Sequence, residues 1–155
     1  PEYNARFDLD PVSRHQKIAG LVLNCGVFDL KKALGTDFKN IELYVQSYCG
    51  GRPLDEVTEE VWDEISPIRH VTPDFPPCFL ISAERDRLAP LTADLAAKLS
   101  ECGVEYAHYH GKGRFAVHAF AVVQILKITR EAMFGAKLFL RSHTPPELLP
   151  RIRKL

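Results

Sequence analysis

The sequence predicts an α/β fold of mostly parallel strands with helices on both faces of the sheet, and three observations predict it. Residues 18–24 and 78–82 are short, nearly continuous apolar runs, the pattern of strands buried on both faces. From residue 78 to 109 a strand, a helix and a second strand follow in order, as in a βαβ unit. Residues 31–65 and the stretch after His118 carry apolar side chains at helical spacing and no strand character.

Taken in order, residues 1–17 are polar with two prolines and read as a connector. After the first strand, Cys25-Gly-Val-Phe-Asp-Leu30 turns away, and Asp29 is expected as a structural carboxylate at a helix start. Phe38, Ile41, Val45 and Tyr48 form one helical stripe, ended by Gly50-Gly51. Leu54, Val57, Val61 and Ile65 form another. Its far side carries Asp55, Glu56, Glu59, Glu60, Asp63 and Glu64, a solvated face rather than paired catalytic carboxylates. Three prolines within residues 72–77 make an extended loop before the second strand. Pro90 starts the next helix, whose stripe is Leu91, Leu95, Leu99 and Cys102, and Gly103 supplies the left-handed residue at its end. A third strand is expected over 104–109, and a helix over 119–134 that stops at Gly135. Residues 136–155, with Thr-Pro-Pro and Leu-Pro breaks and a basic end, read as a tail.

The totals exclude several functions. The 155 residues suffice for one cored domain, and 20 basic against 20 acidic side chains give a net charge of zero. Without a basic stripe interleaved with aromatics, nucleic acid is not an expected partner. No apolar run approaches the ~20 residues that span a bilayer. The four cysteines, Cys25, Cys49, Cys78 and Cys102, lack a C-x-x-C pairing and read as buried free thiols, which favours a reducing, cytoplasmic setting.

Chemistry concentrates at two positions. Asp86 stands just past the strand 78–82 and His118 just past the next, where ligand-acting side chains of open α/β sheets gather. If the strands are parallel neighbours, residues 32 apart come within hydrogen-bond reach. A carboxylate on one imidazole nitrogen fixes the tautomer, and the other nitrogen can then accept a nucleophile's proton. His15, His70 and His143 lie in polar or proline-flanked surroundings with no expected chemistry. His108 and His110 form H-x-H on one strand face, but no third or fourth ligand accompanies them, so neither a metal site nor any cofactor is expected.

Asp86-Arg87-Leu88 and His118-Ala119-Phe120 resemble the acid turn and base turn of the α/β-hydrolases, closest to the esterase and lipase branch containing the hormone-sensitive-lipase-like enzymes. Gly20 to Asp29 and Ser66-Pro67 are similar to the same family's strand and turn upstream, so the likeness covers about residues 1–135. The resemblance implies the C-terminal part of such a domain over 18–135, with 31–65 bordering the substrate cleft and an incomplete sheet. It implies Asp86 as orienting acid and His118 as base. It also implies Phe28, Tyr48, Trp62 and Leu88 as substrate-facing, with Tyr44 too a potential lining of an acyl pocket, although core packing is the plainer expectation for each aromatic.

The family's nucleophile sits in G-x-S-x-G, upstream of the acid. None of Ser13, Ser47, Ser66, Ser82, Ser100 or Ser142 has flanking glycines, and an H-G-G-type oxyanion loop is missing as well. The expectation is therefore a missing N-terminal half, as upstream sequence or a companion chain, acting on a small-molecule ester. A homo-oligomer is compatible with the same reading. Two alternatives stay open: half of a peptidase of the prolyl-oligopeptidase type, and a non-catalytic interaction module.

Overall fold

A computed structural model describes residues 18–148. Its centre is a parallel sheet of β1 (Leu21–Asn24), β2 (Cys78–Ala83) and β3 (Tyr106–Gly111), in spatial order 1-2-3. All six β2 residues are buried. The four β1 residues are only half-buried, because β2 is the only strand beside β1 among the described residues. Leu21–Asn24 thus form an edge strand here, although the apolar run 18–24 that contains them has the composition of a central one.

The pleat of β2 sends alternate side chains to opposite faces. Cys78 and Leu80 pack with Leu95 and Leu99 of one helix; Phe79 and Ile81 pack with Ala132, Ala136 and Phe139 of another. Helices accordingly cover both faces, as expected. The helix Ala89–Glu101 carries proline in its first turn, buries Leu91, Leu95 and Leu99, and ends at Gly103 with φ +68°.

Between β1 and β2 lie α1 (Leu30–Ala33), α2 (Ile41–Tyr48), a 3-10 turn (Leu54–Glu56) and α3 (Glu59–Ile65); the helix Ala89–Glu101 is α4. Asp29 caps α1 by accepting the Lys32 N–H at 2.9 Å, the structural role expected of it. Buried Ser66 accepts the Leu30 N–H at 3.1 Å. Ile41, Val45, Val57 and Trp62 pack with Leu88 and Leu91 into one core cluster. The acidic face is exposed throughout; Glu59 pairs with Lys31, and Asp63 with Arg69 at 3.2 Å.

The segment after His118 departs from expectation. Instead of a helix from 119, Ala119 adopts φ +53° and leads into a 3-10 turn, Phe120–Val122. The long helix α5 starts only at Lys127 and runs to His143, followed by a turn at Pro146–Leu148. Gly135 lies inside α5 and does not end it. A Cβ at Gly135 would stand 2.8 Å from Phe79 Cζ, so this glycine is a close-approach site where helix meets sheet. Residues 136–143 are therefore helix, not tail; the connector 1–17 and the tail's last residues, 149–155, fall outside the described residues. All four cysteines are free, and among the described residues no helix is long and apolar enough to cross a membrane.

Candidate active site

Asp86 is placed by the turn that closes β2. Its N–H donates to Ala83 O at 3.1 Å, and its carbonyl accepts the Ala89 N–H at 3.1 Å as α4 begins. Its carboxylate side chain is fully buried; Oδ1 accepts the Leu88 N–H at 3.0 Å, which leaves Oδ2 for His118. His118 Nδ1 lies 3.1 Å from that Oδ2. Residues 32 apart in sequence thus meet, as the parallel neighbouring strands require.

The histidine turn is held from below. Phe120, 1% exposed, fills the space over Gly111, where any Cβ would lie 2.9 Å from its ring. Buried Thr129 donates its hydroxyl to Phe120 O at 2.8 Å, and the Arg85 N–H donates to Ala116 O at 2.9 Å, so the acid turn and the base loop are laced together. The left-handed backbone at Ala119 turns the chain sharply between His118 and its anchor. This conformation explains why glycine or alanine suits the position and a branched residue would not. The His118 side chain is 40% exposed, with Phe38 edge-on at 4.8 Å between ring centroids. Among the described residues Nε2 makes no hydrogen bond, so the nitrogen that would take a proton is open.

One neighbour of the pair reads in the sequence only as a buried thiol. Cys25 follows β1 directly, 4% exposed, with φ +48° and its N–H donating to Ile81 O at 2.8 Å. Its sulfur, an Asp86 carboxylate oxygen and a His118 ring nitrogen all lie within 4.8 Å of one another. Burial pushes the thiol up to about 11, a backbone hydrogen bond with Ala119 opposes this, and the Asp86 charge adds to the rise. It is therefore a protonated thiol at neutral pH and a poor nucleophile. The signal was available: the strand-end rule that singles out Asp86 applies equally to the residue ending the first apolar run.

The residues expected to face substrate divide. Phe28, Trp62 and Leu88 are 6%, 5% and 2% exposed and pack within the core. Tyr48 is 76% exposed and, with Tyr44, Val27, Leu30, Ile41 and Ile65, lines an apolar cavity of about 250 Å³. Core packing thus holds for Trp62 but not for Tyr44 or Tyr48. His108 and His110 share a face, as their spacing requires; Nε2 of the first and Nδ1 of the second each lie 2.8 Å from the buried Ser82 hydroxyl. That hydroxyl is satisfied by the histidines and lies within β2, still paired with β3, not on a strand-to-helix nucleophile turn.

No protein-family model matches the sequence and no curated protein matches it closely. The likeness is structural. Esterase B from Lactobacillus Rhamnosis superposes with a TM-score of 0.72 at 16% identity, covering 92% of this chain and 45% of that one. A second solved esterase gives 0.67 at 23% identity, covering 93% and 44%. An esterase/lipase from an uncultured bacterium gives 0.63 at 14%, covering 91% and 46%. The chain thus spans less than half the length of these enzymes. A parallel sheet with helices on both faces, an acid past its middle strand and a histidine past the next together give this chain the fold of the C-terminal part of an α/β-hydrolase, the fold those esterases share.

Proposed function

We propose that this chain carries the acid and the base of a serine carboxylesterase whose nucleophile lies N-terminal to Pro1. The observation that carries the reading is the buried Asp86 carboxylate, anchored on one oxygen by Leu88 N–H and offering the other to His118 Nδ1 at 3.1 Å. In the reaction, His118 Nε2 removes the proton from a serine hydroxyl as its oxygen attacks the ester carbonyl. The imidazolium, stabilised by Asp86, then protonates the departing alcohol. Water attacks the acyl-enzyme with the same histidine as base, releasing acid and restoring serine. Asp86 holds the tautomer and balances the charge without being protonated.

Two further observations support a partner half. The outer edge of β1 has no strand beside it among the described residues, and beside the histidine turn Val122 and Ile125 are 71% and 83% exposed. Unpaired strand edges and clustered apolar side chains of this kind are normally covered. Esterase B has also been solved inhibited by a tributyrin phosphonate. Among the described residues no serine stands on a strand-to-helix nucleophile turn, and loss of a nucleophile or of oxyanion donors costs orders of magnitude each.

The test is fluorophosphonate labelling of the protein that contains this chain and its upstream sequence, with peptide mapping. The expected result is a labelled serine upstream of Pro1, together with turnover of short-acyl nitrophenyl esters; the 155-residue chain by itself gives neither. Turnover of dipeptidyl amides in place of esters would transfer the site to a peptidase. Absence of labelling would make the fold a non-catalytic module.

A further inference from the structure

We propose that Cys25, Asp86 and His118 form a three-ligand site for a thiophilic divalent cation of the Zn2+ class. Their ligand atoms come from the ends of two strands and the base loop, and lie within 4.8 Å of one another. Tetrahedral zinc holds nitrogen and oxygen at about 2.0–2.2 Å and sulfur at about 2.3 Å, which places neighbouring ligand atoms about 3.3–3.6 Å apart. The His118 Nδ1 to Asp86 Oδ2 distance, 3.1 Å, is already within a few tenths of that spacing. The remaining edges, at most 4.8 Å, close by about 1.2–1.5 Å at most, within reach of side-chain torsions.

The donor set selects the metal. One sulfur, one imidazole and one carboxylate suit Zn2+, whereas Mg2+ and Ca2+ prefer all-oxygen shells. Two of the three ligands are buried and positioned by the fold, and exposed His118 gives the ion its way in. Three protein ligands leave a fourth position for water. Cys25 has no part in acyl transfer, yet it occupies a left-handed backbone that costs about 1–3 kcal/mol and concentrates at functional sites.

Binding balances simply. The Cys25 thiol loses its proton to solvent as the sulfur–metal bond forms. The His118 N–H proton moves from Nδ1 to Nε2, so that the Nδ1 lone pair can bind the ion. Asp86 Oδ2 exchanges a hydrogen bond for a metal bond, and one proton is released per ion. With Nε2 protonated and Nδ1 metallated, His118 cannot act as a base; this consequence, that the ion switches the site off, rests on the hydrolase reading, whereas the binding does not.

Co2+ serves as the spectroscopic probe. Titrating the 155-residue chain is expected to raise a thiolate-to-cobalt charge-transfer band at one equivalent. Zn2+ should displace the Co2+ and, when added to the metal-free chain, release one proton per ion; Mg2+ should do neither. Cys25→Ser abolishes the band and Cys102→Ser keeps it. His118→Ala, at an exposed position, weakens affinity by at least about tenfold, the loss already typical of an outer-shell partner. No band, a band surviving Cys25→Ser, or unchanged affinity in His118→Ala would overturn the site. None of these readouts uses turnover, so failure of the esterase reading would leave them unaffected, and their failure would leave that reading standing.

Discussion

Replacing Gly111 by alanine tests the packing that carries the histidine. A Cβ at this position would stand 2.9 Å from Phe120 Cζ and 3.0 Å from Cε1. The ring cannot swing aside, because Phe120 is 1% exposed and clustered with Ile81, Ala116 and Ala132. Two effects oppose each other. Removing a glycine from a strand end gains about 0.5–1 kcal/mol through the unfolded chain. Overpacking a filled core costs about 1–3 kcal/mol. The steric effect wins, and the net loss is about 1–2 kcal/mol, or about 0.5–1 M in urea midpoint at a slope of about 2 kcal/mol per M. Because the displaced ring supports the turn at 118–120, the same variant should weaken the Nδ1–H signal of His118 in proton NMR. Phe120→Leu in the Gly111→Ala background should recover at least half of the loss, a coupling expected only of residues in contact. A Gly111→Ala chain as stable as its parent, or a loss that Phe120→Leu does not relieve, would refute the packing argument.

Three other outcomes follow from the same structure. Gly135→Ala should destabilise by about 1 kcal/mol in urea titration, where an ordinary helix-interior glycine would gain about that much, because Phe79 occupies the space. His143 is raised above 6.5 by its hydrogen bond to Phe139 O and by Glu105. Its contribution to stability is therefore fully present below pH 6.5 and is lost as pH rises through the raised value. His143→Gln should flatten that part of the stability profile, measured between about pH 5 and 9. Ala119→Gly should relieve left-handed strain of about 1–2 kcal/mol, offset by about 0.5–1 kcal/mol from a freer unfolded chain, and so raise the melting temperature slightly.

The sheet and α4 were legible because their signals are local. Apolar runs marked β1 and β2, Pro90 and Gly103 bracketed α4, and the strand-end rule placed Asp86 and His118 where the structure pairs them. The region after His118 was not legible, because its determinants are tertiary. Val122 and Ile125 look like core in sequence yet stand exposed, and the left-handed turn at Ala119 breaks a helical pattern that composition alone would continue. Gly135 reads as a helix stop until Phe79 is seen pressed against it. Trp62 and Tyr48 belong to the same residue class and adjacent helices, yet one is core and the other lines a cavity; only packing distinguishes them. Cys25 read only as a buried free thiol at the turn after the first strand, because it joins the pair from a third chain segment, far from either motif.

In the proposed chemistry Asp86 acts through His118. This is tested most directly by ester turnover in the protein that contains this chain and its upstream sequence, comparing Asp86→Asn and His118→Ala with the parent. Each should lower kcat by roughly ten-thousand-fold with KM little changed, since both act on proton transfer and not on substrate binding. A loss below about tenfold in either variant, with the fold intact, would contradict it.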